Sequence, residues 1–131
     1  MSSPGEDRLR ELRDRLLRLH AALLDRERHA WEAEHGRVTS GRFLQLLIHD
    51  DAFAWLRPLS GIIAAIEAAL DEDELPADVE PFFREAQRLL RSGEAVAFAT
   101  KYHAALQESP DIVMAHADVV KTLPRADRSA G

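Results

Sequence analysis

The stretch that decides the fold is residues 4–35, PGEDRLRELRDRLLRLHAALLDRERHAWEAEH. Five leucines in it alternate three- and four-residue spacings, the seam of a coiled-coil helix: Leu9, Leu12, Leu16, Leu19 and Leu23. The acids Glu6 and Asp7 suit the positive N-terminal end of a helix, and Gly36 suits its end. The pattern therefore predicts one amphipathic helix from Pro4 to His35.

The length of this helix raises the question of what covers it. About 30 helical residues span about 45 Å, whereas a domain of this size has a radius of gyration of about 14 Å. The helix must either pack against two shorter helices end to end or find its match in a second subunit. The leucine seam favours a homodimer, either parallel or antiparallel, with those five leucines as its interface.

Outward from this helix, the chain predicts further helices only. GRVTSGR (residues 36–42) predicts a turn, and residues 43–48 predict a short helix. Asp50 and Asp51 are both good N-cap residues, so we expect a break there and a new central helix over 52–70. Pro58 should kink that helix near Ala54. One continuous kinked helix over 41–71 is the alternative.

The second half of the chain completes a bundle. An acidic loop follows the central helix, and three more helices are predicted over 78–93, 94–108 and 110–122. The fold class is therefore all-α, a bundle of five or six helices. We expect residues 1–124 to form a single domain and residues 125–131 to form a disordered tail.

Composition limits the classes of function. The 131 residues contain no cysteine, which excludes disulfides, thiol nucleophiles and thiolate metal sites. A net charge of −6 argues against nucleic acid as a partner, because lysine and arginine supply most of that affinity. The N-terminus lacks a signal-peptide pattern, and the longest strictly apolar run, residues 62–66, is too short for a membrane span. We expect a cytoplasmic protein that binds neither nucleic acid nor membrane.

Four residues around the break form a candidate ligand site: His49, Asp50, Trp55 and Arg57. An arginine beside a histidine and a carboxylate at a helix break could bind an anion and transfer a proton. The competing interpretation, which we favour, is structural. In that interpretation Asp50 or Asp51 caps a helix, and Arg57 pairs with one of these acids or with a helix C-terminus.

A candidate metal site lies near the end of the first helix. Glu32 and His35 have the spacing used in di-iron carboxylate bundles, and His29 lies on the same face. A di-iron site needs a second such pair, and no other histidine has a glutamate three residues before it. We therefore expect no metal and no cofactor.

The segments LIHD (47–50) and FAWLRPLS (53–60) resemble a group of short bacterial all-helical proteins with no assigned activity. The resemblance implies an all-α fold and a bacterial source and assigns no functional residue. We expect a non-enzymatic interaction or regulatory module that self-associates through its N-terminal helix, with a protein partner as a further possibility. The alternative is a small-molecule or metal-binding bundle with a pocket near Pro58.

Overall fold

The structure is a computed structural model that describes residues 3–72 and 75–124. Within those ranges the chain forms six α-helices and no strand, which confirms the predicted all-α bundle with a long N-terminal helix. The helices are α1 (Pro4–His35), α2 (Ser40–His49), α3 (Arg57–Asp71), α4 (Glu80–Gln87), α5 (Val96–Glu108) and α6 (Pro110–Val120). A 3₁₀ segment (Asp51–Leu56) precedes α3, and a π-helical turn (Arg88–Ser92) follows α4.

Helix α1 has the predicted bounds. The Ser3 hydroxyl accepts a hydrogen bond from the Glu6 amide at 3.1 Å, which satisfies one of the free N–H groups of the first turn. Gly36 ends the helix with φ of 88°, a value that disfavours any side chain.

The five seam leucines lie inside the chain's own core, each with 0% exposure. Helices α3 and α6 both pack against α1. The prediction that Leu9, Leu12, Leu16, Leu19 and Leu23 form a subunit interface is therefore corrected, because side chains covered by their own chain cannot also face a second one. The first alternative, in which shorter helices cover α1, describes the fold.

The break between α2 and α3 lies where it was predicted but has a different geometry. Helix α2 ends at His49, and the chain continues as the 3₁₀ segment up to Leu56. Pro58 lies in the first turn of α3 instead of kinking an α-helix near Ala54. The reason is that proline has no N–H and its ring clashes with the carbonyl four residues earlier, so the α-helix begins at Arg57 with the proline as its second residue.

The buried residues form two clusters. The main core contains the seam leucines together with residues of α3 to α6. A small satellite cluster of Phe43, Leu46 and Phe53 attaches α2, with the partly buried Leu24 and Trp31 of α1 packed against it. Helix α2 is thus held by a few aromatic and leucine contacts at the edge of the bundle.

The second half of the chain follows the predicted order. Gly93 ends the π-helical turn in the left-handed region at φ of 75°. The Ser109 hydroxyl accepts from the Ile112 amide at 3.3 Å and caps α6, with Pro110 in the first helical turn. The predicted tail, residues 125–131, lies outside the described residues.

One helical stretch, Asp51–Asp71, is long and apolar enough by length and composition to cross a membrane. In the structure Leu59, Ile63 and Ile66 from this stretch pack into the main core. Half of its exposed residues are glycine or alanine, four others are the charged Asp51, Arg57, Glu67 and Asp71, and 39% of its apolar window is buried. One face of the stretch therefore packs into the core, and the opposite face is exposed.

Candidate functional site

The four predicted ligand-site residues do not converge on one site. The Asp50 carboxylate accepts from the Ala52 amide at 2.9 Å, so it caps the 3₁₀ segment. Arg57 donates through Nη2 to the Ile48 carbonyl at 3.0 Å, which satisfies the C-terminus of α2. Trp55 is buried against Phe98, with ring centroids 5.6 Å apart, and its Nε1 has no hydrogen-bond partner among the described residues. His49 is exposed at the end of α2.

The predicted metal ligands also have local roles. Glu32 accepts from the Val38 amide at 2.9 Å, and this hydrogen bond lowers the pKa of its carboxyl group. His35 stacks on Trp31 with ring centroids 4.1 Å apart, and His29 Nδ1 lies 2.8 Å from the Asp25 carbonyl. Among residues 3–72 and 75–124, no three His, Asp or Glu side chains are grouped closely enough to hold a metal ion.

A groove does lie beside Pro58, but none of the four predicted ligand-site residues lines it. The cavity is about 580 Å³ and runs between α3 and the segment formed by α4 and the π-helical turn. We call it the Pro58 groove. Its α3 wall consists of Pro58, Gly61, Ile62 and Ala65. Its other wall consists of Glu85, Arg88 and Leu89, with Glu94 and Ala95 just before α5.

The rim of the Pro58 groove has an excess of negative charge. Arg88 lies between two carboxylates, with Nη1 2.8 Å from Glu85 and Nε 3.6 Å from Glu94. One arginine and two glutamates leave a rim charge of −1. The floor of the groove is apolar. Its α3 wall is low, because Gly61 has no side chain and Ala65 has only a methyl group.

The outer face of α2 is a second unusual surface. Leu44 and Ile48 lie one helical turn apart and are 55% and 52% exposed. Residues 36–49 contain Arg37 and Arg42 but no aspartate or glutamate. Neither arginine forms an ion pair within the described part of the chain. Asp50 and Asp51 follow α2, and Arg57 lies against its last turn, so the charged groups around the helix sum to +1. This α2 face, defined by Leu44, Gln45 and Ile48, is therefore apolar with a small excess of positive charge around it.

Two polar pairs lie between helices. His20 Nε2 and Ser60 Oγ are 2.9 Å apart across the α1–α3 contact, and burial lowers the pKa of His20. The Tyr102 hydroxyl lies 2.6 Å from His116 Nδ1 across the α5–α6 contact. Burial raises the pKa of Tyr102. Burial also lowers the pKa of His116, and the positive charge of the nearby Arg91 lowers it further. Both pairs join neighbouring helices, and neither lines the Pro58 groove.

No protein-family model, curated protein or solved structure matches this chain. The resemblance to short bacterial helical proteins stays a prediction.

The sequence did carry a signal for the Pro58 groove. Pro58, Gly61 and Ala65 follow three- and four-residue spacing, which places small side chains along one line of an apolar helix. The same pattern is expected where a neighbouring helix of the chain approaches closely. Only the placement of α4 and the π-helical turn shows that this line borders an open groove.

Proposed function

We propose that the protein is a non-enzymatic helical interaction module that self-associates. The observation that carries the proposal is the pair of apolar surfaces left exposed, the α2 face and the Pro58 groove. Exposed apolar patches bordered by charged residues are typical of protein interaction sites.

The side chains that could perform chemistry support the same proposal. Asp50, Arg57 and Glu32 are engaged with backbone groups of turns and helix ends. The partly buried His20 pairs with Ser60 between two helices. An active site usually brings such groups together in a cleft. Here Asp50 and Arg57 stabilise the break between α2 and the 3₁₀ segment, whereas Glu32 stabilises the turn after α1 and His20 lies in the α1–α3 contact.

The test is molar mass by light scattering during size-exclusion chromatography, over a range of protein concentrations. We expect a mass that rises toward twice 14.7 kDa as the concentration increases. A mass of one chain at every concentration would contradict self-association.

A second candidate, a binding protein for a small apolar molecule, is favoured by the size of the groove. Its volume of about 580 Å³ falls within the roughly 300–1,000 Å³ typical of ligand pockets. Nile red, a neutral apolar dye, is a suitable probe. Saturable binding that Ala65→Phe abolishes in a monomeric sample would support this candidate, and dye binding that ignores the substitution would oppose it.

A further inference from the structure

We propose that the α2 face of a second copy of this chain occupies the Pro58 groove, and that the two copies exchange this contact around a two-fold axis. The inference rests on the proposed function, since it names the surface through which the module self-associates. The proposed interface consists of exposed residues, whereas the seam leucines lie in the core.

The shapes of the two surfaces fit a helix docked in a groove. The α2 face offers two exposed branched side chains one turn apart, Leu44 and Ile48. The groove offers an apolar floor with a low α3 wall. A Cβ placed on Gly61 would meet no atom within 4 Å, so there is open space above this residue. Small residues on one helix let a second helix approach closely, as in helix-in-groove recognition.

The charges of the two surfaces are opposite, and this favours a copy of α2 as the occupant. The groove rim has two glutamates against one arginine. Around α2, Arg37, Arg42 and Arg57 outnumber Asp50 and Asp51 and leave a charge of +1, in a chain whose net charge is −6. Acidic surfaces of the chain would repel this rim, whereas α2 brings local positive charge to it. Complementary charge of this kind sets the register and choice of partner.

The two surfaces are also neighbours within one copy. Arg57 donates to the Ile48 carbonyl at the end of α2, and the next residue, Pro58, lines the groove. A two-fold axis passing between adjacent complementary surfaces places each one on its counterpart. The contact then forms twice, and the dimer closes without leaving either surface free to recruit a third copy.

Substitutions on both sides of this contact test the proposal. Leu44→Glu, Ile48→Glu and Gly61→Leu each change an exposed position, so circular dichroism and urea unfolding should show a folded chain. Each should raise the dimer dissociation constant, measured by light scattering and sedimentation, at least about tenfold. The matched control is Met114→Glu, because Met114 is 69% exposed on α6 and lines neither surface. This control should leave the constant unchanged.

Gln45 tests the charge argument separately from the apolar one. It is exposed beside Leu44 and Ile48 on the same helix. Gln45→Lys should tighten the dimer and Gln45→Glu should weaken it, and added salt should reduce both effects.

The outcomes are distinguishable. A wild-type chain that is monomeric at every concentration overturns the proposed function and this inference with it. A dimer that withstands Ile48→Glu and Gly61→Leu, or that Met114→Glu breaks, overturns this surface while self-association stands. A dimer whose strength follows the sign of the charge at residue 45 supports the surface proposed here.

Discussion

Asp50 and Asp51 are adjacent acids with different structural roles. The Asp50 carboxylate accepts from the Ala52 amide at 2.9 Å, whereas Asp51 is exposed in the first turn of the 3₁₀ segment. Asp50→Ala should therefore lower the free energy of unfolding by about 1 kcal/mol, the usual value for a lost N-cap. Asp51→Ala is the matched control and should change it much less. Urea unfolding of the two variants checks this, and equal losses would contradict the assignment.

Two histidines should make stability depend on pH. Burial lowers the pKa of His20 and of His116 from the ordinary value of 6.5. Below about pH 6.5 the unfolded chain binds protons that the folded chain does not yet bind. The free energy of unfolding should therefore fall as the pH drops through that value, and this loss should level off below the folded-state pKa values.

Urea unfolding at about pH 7.5 and about pH 5.5 measures this loss. The double variant His20→Gln, His116→Gln keeps a polar group at both positions but cannot titrate in this window. It should lose less stability between the two pH values than the wild type. A loss of the same size in both proteins would show that other groups cause it.

At the scale of single residues, the sequence predicts which side chains cap or pair better than it predicts the atoms that they contact. A cap at Asp50 or Asp51 and an arginine on a helix C-terminus were both foreseen as alternatives. The choice of the Ile48 carbonyl as the acceptor for Arg57 depends on where the 3₁₀ segment turns the chain. Such an orientation arises from tertiary packing and leaves no periodic signal in the sequence.

At the scale of the helices, two glycines, one within α3 and one before α5, should respond in opposite ways to substitution by alanine. Gly61 is exposed within α3, and an added Cβ would meet nothing within 4 Å. Gly61→Ala should therefore raise the free energy of unfolding by about 0.5–1 kcal/mol through helix propensity. Gly93 lies at φ of 75° before α5, where a side chain is strained, so Gly93→Ala should lower it. Thermal unfolding of both variants checks the signs, and a destabilised Gly61→Ala would mean that the position is less open than described.

The helices themselves were largely predictable, while their deviations from α-geometry were not. Caps and prolines mark the bounds of α1 and α6 because each supplies or removes a specific backbone hydrogen bond. The 3₁₀ segment and the π-helical turn carry no comparable mark. Residues 88–92 read as ordinary helix, and the wider turn there reflects how Leu89 and Leu90 both reach the core. That adjustment is made by packing.

The whole molecule is organised around α1, which α3 and α6 cover and to which α2 attaches through a satellite cluster. The leucine spacing predicted the helix and its apolar side but assigned that side to the wrong neighbour. The reason is physical: three- and four-residue spacing places side chains on one side of a helix, whether the covering helices belong to the same chain or to another. Only the burial of each leucine decides between the two.

Leu16 therefore provides the test of this architecture. Its side chain is fully buried in the main core, while the adjacent Leu17 is 39% exposed. Leu16→Ala should lower the free energy of unfolding by about 2–5 kcal/mol, because it removes buried methyl groups and leaves a cavity. Leu17→Ala should cost much less. Both are best measured by urea unfolding in the Ile48→Glu background, where we expect a monomer. Truncation of a core leucine should then lower the free energy of unfolding by the same amount at low and high protein concentration. If Leu16 instead faced a second subunit, its truncation would cost little in the monomer and would appear as weaker association in the wild-type background.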